Sequence, residues 1–229
     1  MAVDEGADLL LADGRVAALA GFAADSGAPG YSDFAESLRG AAIRLTPLQA
    51  KPDRWRRISA TAALAGSQTT APGLAETMIA AGLGRFRPDA AAKPCRDRLL
   101  AAEISARRAR RGLWGGSGAG PLDANDAAAV LKAPKGFVVV EGRILTIGEA
   151  RGRLYLNFGP RRTTDFSIVI SKRHLALLEK AGLTPRLLAG RRLRARGLVD
   201  RGFGPQMEIV SPDALELLEN ESDTADMKR

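Results

Sequence analysis

Three stretches of this sequence have residue types and spacings that suit chemistry, and all three are built on arginine. In Gly152-Arg153-Leu154-Tyr155-Leu156-Asn157-Phe158 a strand-like alternation carries one guanidinium and two rings, and the basic turn Gly159-Pro160-Arg161-Arg162 follows directly. In Arg191-Arg192-Leu193-Arg194-Ala195-Arg196 the arginines at 192, 194 and 196 fall on one face of a strand. From Cys95 to Gly115 (CRDRLLAAEISARRARRGLWG) arginines crowd the ends and outer face of an amphipathic helix, Arg107 and Arg111 among them. Guanidinium groups hold phosphates and aromatic faces stack on bases. Arg153, Arg161, Arg162, Arg192, Arg194 and Arg196, with Tyr155 and Phe158, therefore form a candidate single-strand nucleic-acid surface. The competing reading makes Leu154, Leu156 and Phe158 core, Tyr155 a cover for the outer face, and the arginines a solvated strand face.

Other residue types offer less. Cys95 stands at a helix start, which lowers a thiol pKa, but no His or Cys lies near it in sequence, so an inert thiol is expected. His174 is the only histidine and cannot make a zinc site alone, so it reads as a surface residue. Trp55 and Trp114 read as packing anchors rather than base-stacking platforms. The Gly-rich run Gly115 to Pro121 lacks the Lys-Ser/Thr of a phosphate loop and reads as a linker.

The elements that must position these residues follow from periodicity. Leu9 to Leu11 and Val16 to Leu19 flank Asp13-Gly14, a hairpin signal. Ser32 to Gly40 reads as a short helix, Ala42 to Leu45 and Ile58 to Leu64 as strands, Gly73 to Gly82 as a helix, and Leu83 to Phe86 as a strand. The basic helix follows, with Leu99, Leu100, Ala102, Ile104 and Ala106 as its apolar surface, Gly112 as its stop and Leu113-Trp114 as a plug. Asp123 to Leu131 reads as a short helix. Phe137 to Leu145, Arg153 to Phe158, Asp165 to Ile170, Arg191 to Val199 and Gln206 to Val210 read as five strands. A helix from Lys172 to Ala181 stands between the third and fourth, and Pro212 to Leu218 reads as a closing helix. The expected fold class is α+β: a small barrel of antiparallel strands with packed helices, then a second, smaller OB-like barrel. The expected division is residues 1–114, a linker with a short helix at 115–134, a domain at 135–218, and a disordered tail at 219–229.

Charge narrows the partners. The chain of 229 residues carries a formal charge of +8, which favours polyanions such as nucleic acid; abundant arginine in a GC-rich coding sequence would give the same balance. Residues 1–38 hold seven acids against Arg15 alone, whereas residues 39–111 hold 15 bases against five acids and residues 135–210 hold 15 against six. The middle blocks suit a phosphate-facing surface and the ends do not. One cysteine excludes an intrachain disulfide. No run approaches the roughly 18 apolar residues of a membrane span. The acidic start lacks a secretory n-region, so the sequence as written reads as cytoplasmic, or as periplasmic or secreted if the true start lies upstream. Oligomeric state and the choice between DNA and RNA are not readable.

Residues 5–115 resemble a staphylococcal-nuclease-like (thermonuclease) domain. Leu11 to Ala24 is similar to its hairpin leading to the catalytic loop, Asp53-Arg54-Trp55-Arg56-Arg57-Ile58 to its Asp-Arg-Tyr-Gly-Arg turn, and GLAETMIAAGLGRF with LLAAEISARRARRGLWG to its last strand and helix. That family hydrolyses phosphodiesters with calcium, two metal-holding aspartates, a glutamate base and two phosphate-binding arginines. Position by position the resemblance puts Ala7 and Ala23 where the metal aspartates stand, Ser26 where the base stands and Ala18 where the first arginine stands. Arg57 alone matches, and Arg56 falls where the family prefers glycine. Residues 136–218 resemble the OB-like module that accompanies some bacterial nuclease-like proteins. The resemblance thus implies a catalytically degenerate nuclease fold with no intact catalytic set, no metal ligand and no cofactor, binding nucleic acid through Arg57, the basic helix and the later arginines. Two alternatives stand beside it. One is a weak calcium-dependent phosphodiesterase on single strands, in which Asp25, Asp8 or Glu5 reaches the site. The other is a protein-interaction scaffold.

Overall fold

Asp13-Gly14 turns the chain where its residue types require: Gly14 takes φ +81°, and the Asp13 carboxylate accepts the Arg15 N–H at 3.0 Å. The strands it joins begin the first of two compact units, Met1–Gly120 and Pro121–Arg229. The computed structural model describes residues 1–3, 8–68, 70–89, 93–116, 120–133, 135–161, 163–202 and 204–218. Glu5, Ala7, Arg162, part of the linker and the segment 219–229 lie outside the described residues. Both units mix helices and sheets, so the protein is α+β.

The first unit runs β1 (Ala2–Val3), β2 (Asp8–Leu10), β3 (Val16–Leu19), β4 (Phe22–Ala24), α1 (Tyr31–Ser37), β5 (Ile43–Pro47), β6 (Arg57–Leu64), α2 (Leu74–Ala80), β7 (Gly84–Phe86) and α3 (Arg96–Arg108). Its main sheet has the order β1-β2-β3-β6-β5; β3 and β6 are parallel and the other pairs antiparallel. Strands β4 and β7 form a separate antiparallel pair. Leu9, Ala17, Leu19 and Ala62 face a core that receives Met78 and Leu74 from α2 and Leu99 from α3.

The basic helix is shorter than its sequence reads, and its buried face holds a carboxylate beside the expected Leu99 and Ala106. It stops at Arg108, Arg110 takes φ +51°, and Gly112–Trp114 forms a separate 3₁₀ turn. Leu99, Glu103 and Ala106 point inward, whereas Leu100 and Ile104 are only partly covered. Glu103 has a backbone partner there. Its carboxylate, fully buried, accepts the Phe86 backbone N–H of β7 at 2.7 Å, a group that would otherwise be desolvated without a partner.

The second unit runs β8 (Leu122–Asp123), α4 (Ala127–Lys132), β9 (Phe137–Arg143), β10 (Thr146–Ala150), β11 (Arg153–Asn157), β12 (Ser167–Ser171), α5 (Lys172–Lys180), α6 (Pro185–Leu188), β13 (Arg192–Asp200), β14 (Gln206–Glu208) and β15 (Leu215–Leu217). The sheet order is β10-β11-β12-β14-β13-β9-β8, and β15 also pairs with β13. Strands β12 and β14 are parallel. Leu154, Leu156, Ile168, Ile170, Leu178 and Leu193 meet in its core. The stretch read as a closing helix is instead a 3₁₀ turn, Pro212–Ala214, followed by β15. The strand form buries Leu215 and turns Glu216 toward two arginines of β13. Among the described residues, ladder pairing does not close either sheet into a ring, and no helix is long and apolar enough to cross a membrane.

The end of α2 and the turn that follows α3 meet backbone to backbone. Leu113 N–H donates to the Gly82 carbonyl at 2.9 Å, and a Cβ on Gly112 would lie 2.3 Å from that oxygen, at φ +50°. Gly112→Ala therefore adds left-handed strain to a steric clash and is expected to cost about 3 kcal/mol of stability. Urea unfolding of the variant beside the parent chain measures it.

Candidate functional site

The turn between β5 and β6 is organised by one carboxylate. Asp53 accepts the backbone N–H groups of Trp55 and Arg57, each at 2.9 Å, and the Arg57 Nε, also at 2.9 Å. The Arg57 guanidinium then reaches across to Asp8 on β2 at 3.2 Å. Burial alone would raise the Asp53 carboxyl, but the hydrogen bonds from the Arg57 backbone and side chain and from Trp55 N–H outweigh it. They hold Asp53 below the usual carboxylate range. Burial likewise opposes the Arg57 charge, and Asp53 and Asp8 overcome it, leaving Arg57 raised. Arg56 sits in the left-handed region at φ +63°, the conformation for which glycine is favoured at this position; an arginine there costs about 1–2 kcal/mol.

This clamp holds up an exposed ring. Trp55 is 60% exposed, with the Arg54 guanidinium 3.9 Å from its centroid and that of Arg57 at 4.9 Å. The packing role expected for Trp55 is therefore corrected: a turn anchored by Asp53 leaves the indole outside the core. Trp114, by contrast, is buried. Arg85 and Arg107 lie over its ring, at 5.6 and 5.9 Å.

The carboxylates Asp8 and Asp25 are engaged by arginines. Asp8 meets Arg57 as above. Ala23 pairs with Arg85 across β4 and β7, and the Arg85 guanidinium binds Asp25 at 2.8 Å. Ala18 lies between Asp8 and Ser59 in the sheet register. Ala7 and Glu5 fall outside the described residues. Among the described residues, no group of three or more His, Cys, Asp or Glu is placed to hold a metal ion.

Several arginines assigned to phosphate carry structural duties. Arg107 is mostly covered, between the Glu103 carboxylate at 3.8 Å and the Trp114 ring. The Arg111 guanidinium donates to the Ala80 carbonyl at the end of α2, at 3.1 Å, where a cation suits the helix dipole. Arg108 and Arg110 remain exposed. On β13 the three alternate arginines do share a face, but it is covered at Arg194 and Arg196, and only Arg192 keeps a substantial part of its side chain exposed. Arg192 and Arg194 bind Glu141 of β9 at 2.9 and 2.7 Å, and Arg194 binds Glu216 of β15 at 3.2 Å. Arg196, fully buried at its side chain, pairs with the same Glu216. The register explains it: Arg194 stands between Glu141 and Glu216 on the flanking strands. The sequence shows the arginine spacing but not which strands flank it, so Glu141 and Glu216 were unreadable as partners.

The remaining candidates are separate from that ladder. Phe158 is core, its ring 5.4 Å from that of Phe166. Tyr155 is half-buried on β11 beside Val169. Arg153 and Arg161 are exposed, and the Arg161 backbone N–H donates to Asp165 at 2.8 Å. Arg162 lies outside the described residues. His174 Nδ1 is 3.0 Å from the Ser171 hydroxyl at the start of α5, and Cys95 is a partly covered free thiol.

Two outcomes follow. Asp53, with its folded-state pKa depressed, stabilises the turn above the unfolded carboxylate value of about 4 and loses that contribution as pH falls through its folded value. The Trp55 and Arg57 amide resonances are expected to titrate together in that acid range, and Asp53→Asn to abolish the step. Glu216→Ala leaves the Arg196 charge short of a carboxylate in the core and is expected to cost about 3 kcal/mol in urea unfolding. No protein-family model matches this chain, and no characterised protein does either, so its function is read from these residues.

Proposed function

We propose that this chain binds single-stranded nucleic acid without cleaving it, with the Arg54-Trp55-Arg56 turn as its principal contact. The observation that carries the reading is the exposed indole with a guanidinium against its face. A large ring held at the surface by a rigid clamp offers a stacking platform for an unpaired base. Arg54 and Arg56, exposed beside it, suit the phosphates on either side of that base. Arg57 acts by positioning: with Asp53 and Asp8 on its guanidinium, it fixes the turn rather than the phosphate.

The scaffold fits the reading. The order β1-β2-β3-β6-β5 with a parallel β3–β6 pair supports a nuclease-type OB fold for the first unit. In the second, β9 and β10 end the run β10-β11-β12-β14-β13-β9 and are consecutive in the chain, which suits an OB barrel with a bent first strand. Pairing of Asp8, Asp53 and Asp25 with arginines supports binding over hydrolysis, since a carboxylate neutralised by a guanidinium is a poor calcium ligand.

Fluorescence anisotropy with a labelled oligothymidylate tests the proposal. Trp55→Ala is expected to weaken binding about tenfold or more, the loss of one stacked base. Arg54→Ala with Arg56→Ala is expected to reduce the slope of log affinity against log salt by about 1.4. The labelled strand should stay intact in millimolar calcium. An affinity that ignores Trp55, or a flat salt response, overturns the proposal.

A further inference from the structure

On the outer face of the second unit's sheet lies a groove of about 460 Å³ whose charge is opposite to that of the chain. Its exposed apolar surface comes from Leu198 and Val210, 66% and 53% exposed, with the buried Val169 beneath them in its lining. The ladder brings them together. Val169 of β12 lies beside Glu208 of β14, and Leu198 is the position of β13 just before Val199, which pairs with Met207. Glu208 and Asp200 line the same groove, as does Arg153. Among the described residues Glu208 has no ion-pair partner. Asp200 uses one oxygen to accept the Gly202 N–H at 2.9 Å and leaves the other open.

We infer that this groove is a docking site for a peptide segment of a partner protein, one that lays apolar side chains on Leu198 and Val210, above Val169, and sets a lysine or arginine against Glu208 and Asp200. Exposed apolar side chains gathered in one groove mark an interaction surface rather than scattered surface residues. The charge decides the class of partner. In a chain of formal charge +8, two carboxylates and one guanidinium leave this groove acidic. It repels a phosphate backbone and suits a cationic side chain. It is separate from the Trp55 turn, so the two surfaces answer to different ligands.

Titration of the full chain, 15N-labelled, with two blocked synthetic peptides, Lys-Val-Leu-Val-Lys and Glu-Val-Leu-Val-Glu, tests the inference. The basic peptide is expected to shift the amides of Val169, Leu198, Glu208 and Val210 in a saturable way, and the acidic one to leave them in place. Glu208→Gln, at an exposed position that the fold does not use, is expected to weaken the basic peptide about three- to tenfold. Leu198→Asp is expected to abolish the shifts while the remaining spectrum is kept. Equal response to both peptides, or to neither, overturns the inference. So does a larger response of the same amides to oligothymidylate, or a response to protein concentration alone, which would make the groove a contact between copies of this chain.

Discussion

A guanidinium stays charged at every pH a protein meets, so an arginine drawn toward the interior is best matched by a carboxylate. Such pairs occur in both units. Arg57 is held by Asp53 and Asp8, Arg85 by Asp25, Arg107 by Glu103, and Arg194 and Arg196 by Glu216 and Glu141. These pairs tie elements far apart in sequence: β2 to the turn before β6, β4 to β7, and β9 and β15 to β13. They also decide which arginines remain for a partner. The formal charge of +8 overstates the cationic surface wherever arginines line a strand, and describes it better at the Arg54-Trp55-Arg56 turn.

How much of this was legible in the sequence depended on whether a signal was local. Asp13-Gly14 marks its hairpin because the turn needs a left-handed glycine, and Gly82 ends α2 for the same reason. The strand alternation of Arg153 to Phe158 separates Leu154 and Leu156, which are buried, from Tyr155, which is half-covered. Local pattern failed where a distant partner decided the outcome. Leu215 to Leu217 has too few residues to distinguish a helix turn from a strand, and the free edge of β13 settled it. On α3 the apolar pattern marked Leu99 and Ala106 as inward but not the buried Glu103, whose partner is a backbone N–H on β7.

The candidate site divides along the same line. Trp55 and its neighbouring arginines were visible as residues, but the exposure of the ring comes from the Asp53 clamp, a geometry of three hydrogen bonds that no spacing displays. Conversely, arginines 192, 194 and 196 were legible as one face, and their register with Glu141 and Glu216 was not. Residue type found the groups, and pairing across strands assigned their work.

The close approach of Gly82 and Gly112 sets a lower bound on where the first unit can be cut. The Gly82 carbonyl takes its proton from Leu113, and the Ala80 carbonyl takes one from Arg111. A fragment ending with α3 at Arg108 would strip both partners from the end of α2 and uncover the space that Trp114 fills. A cut that keeps the end of α2 capped therefore falls after Trp114, past the last residue of α3.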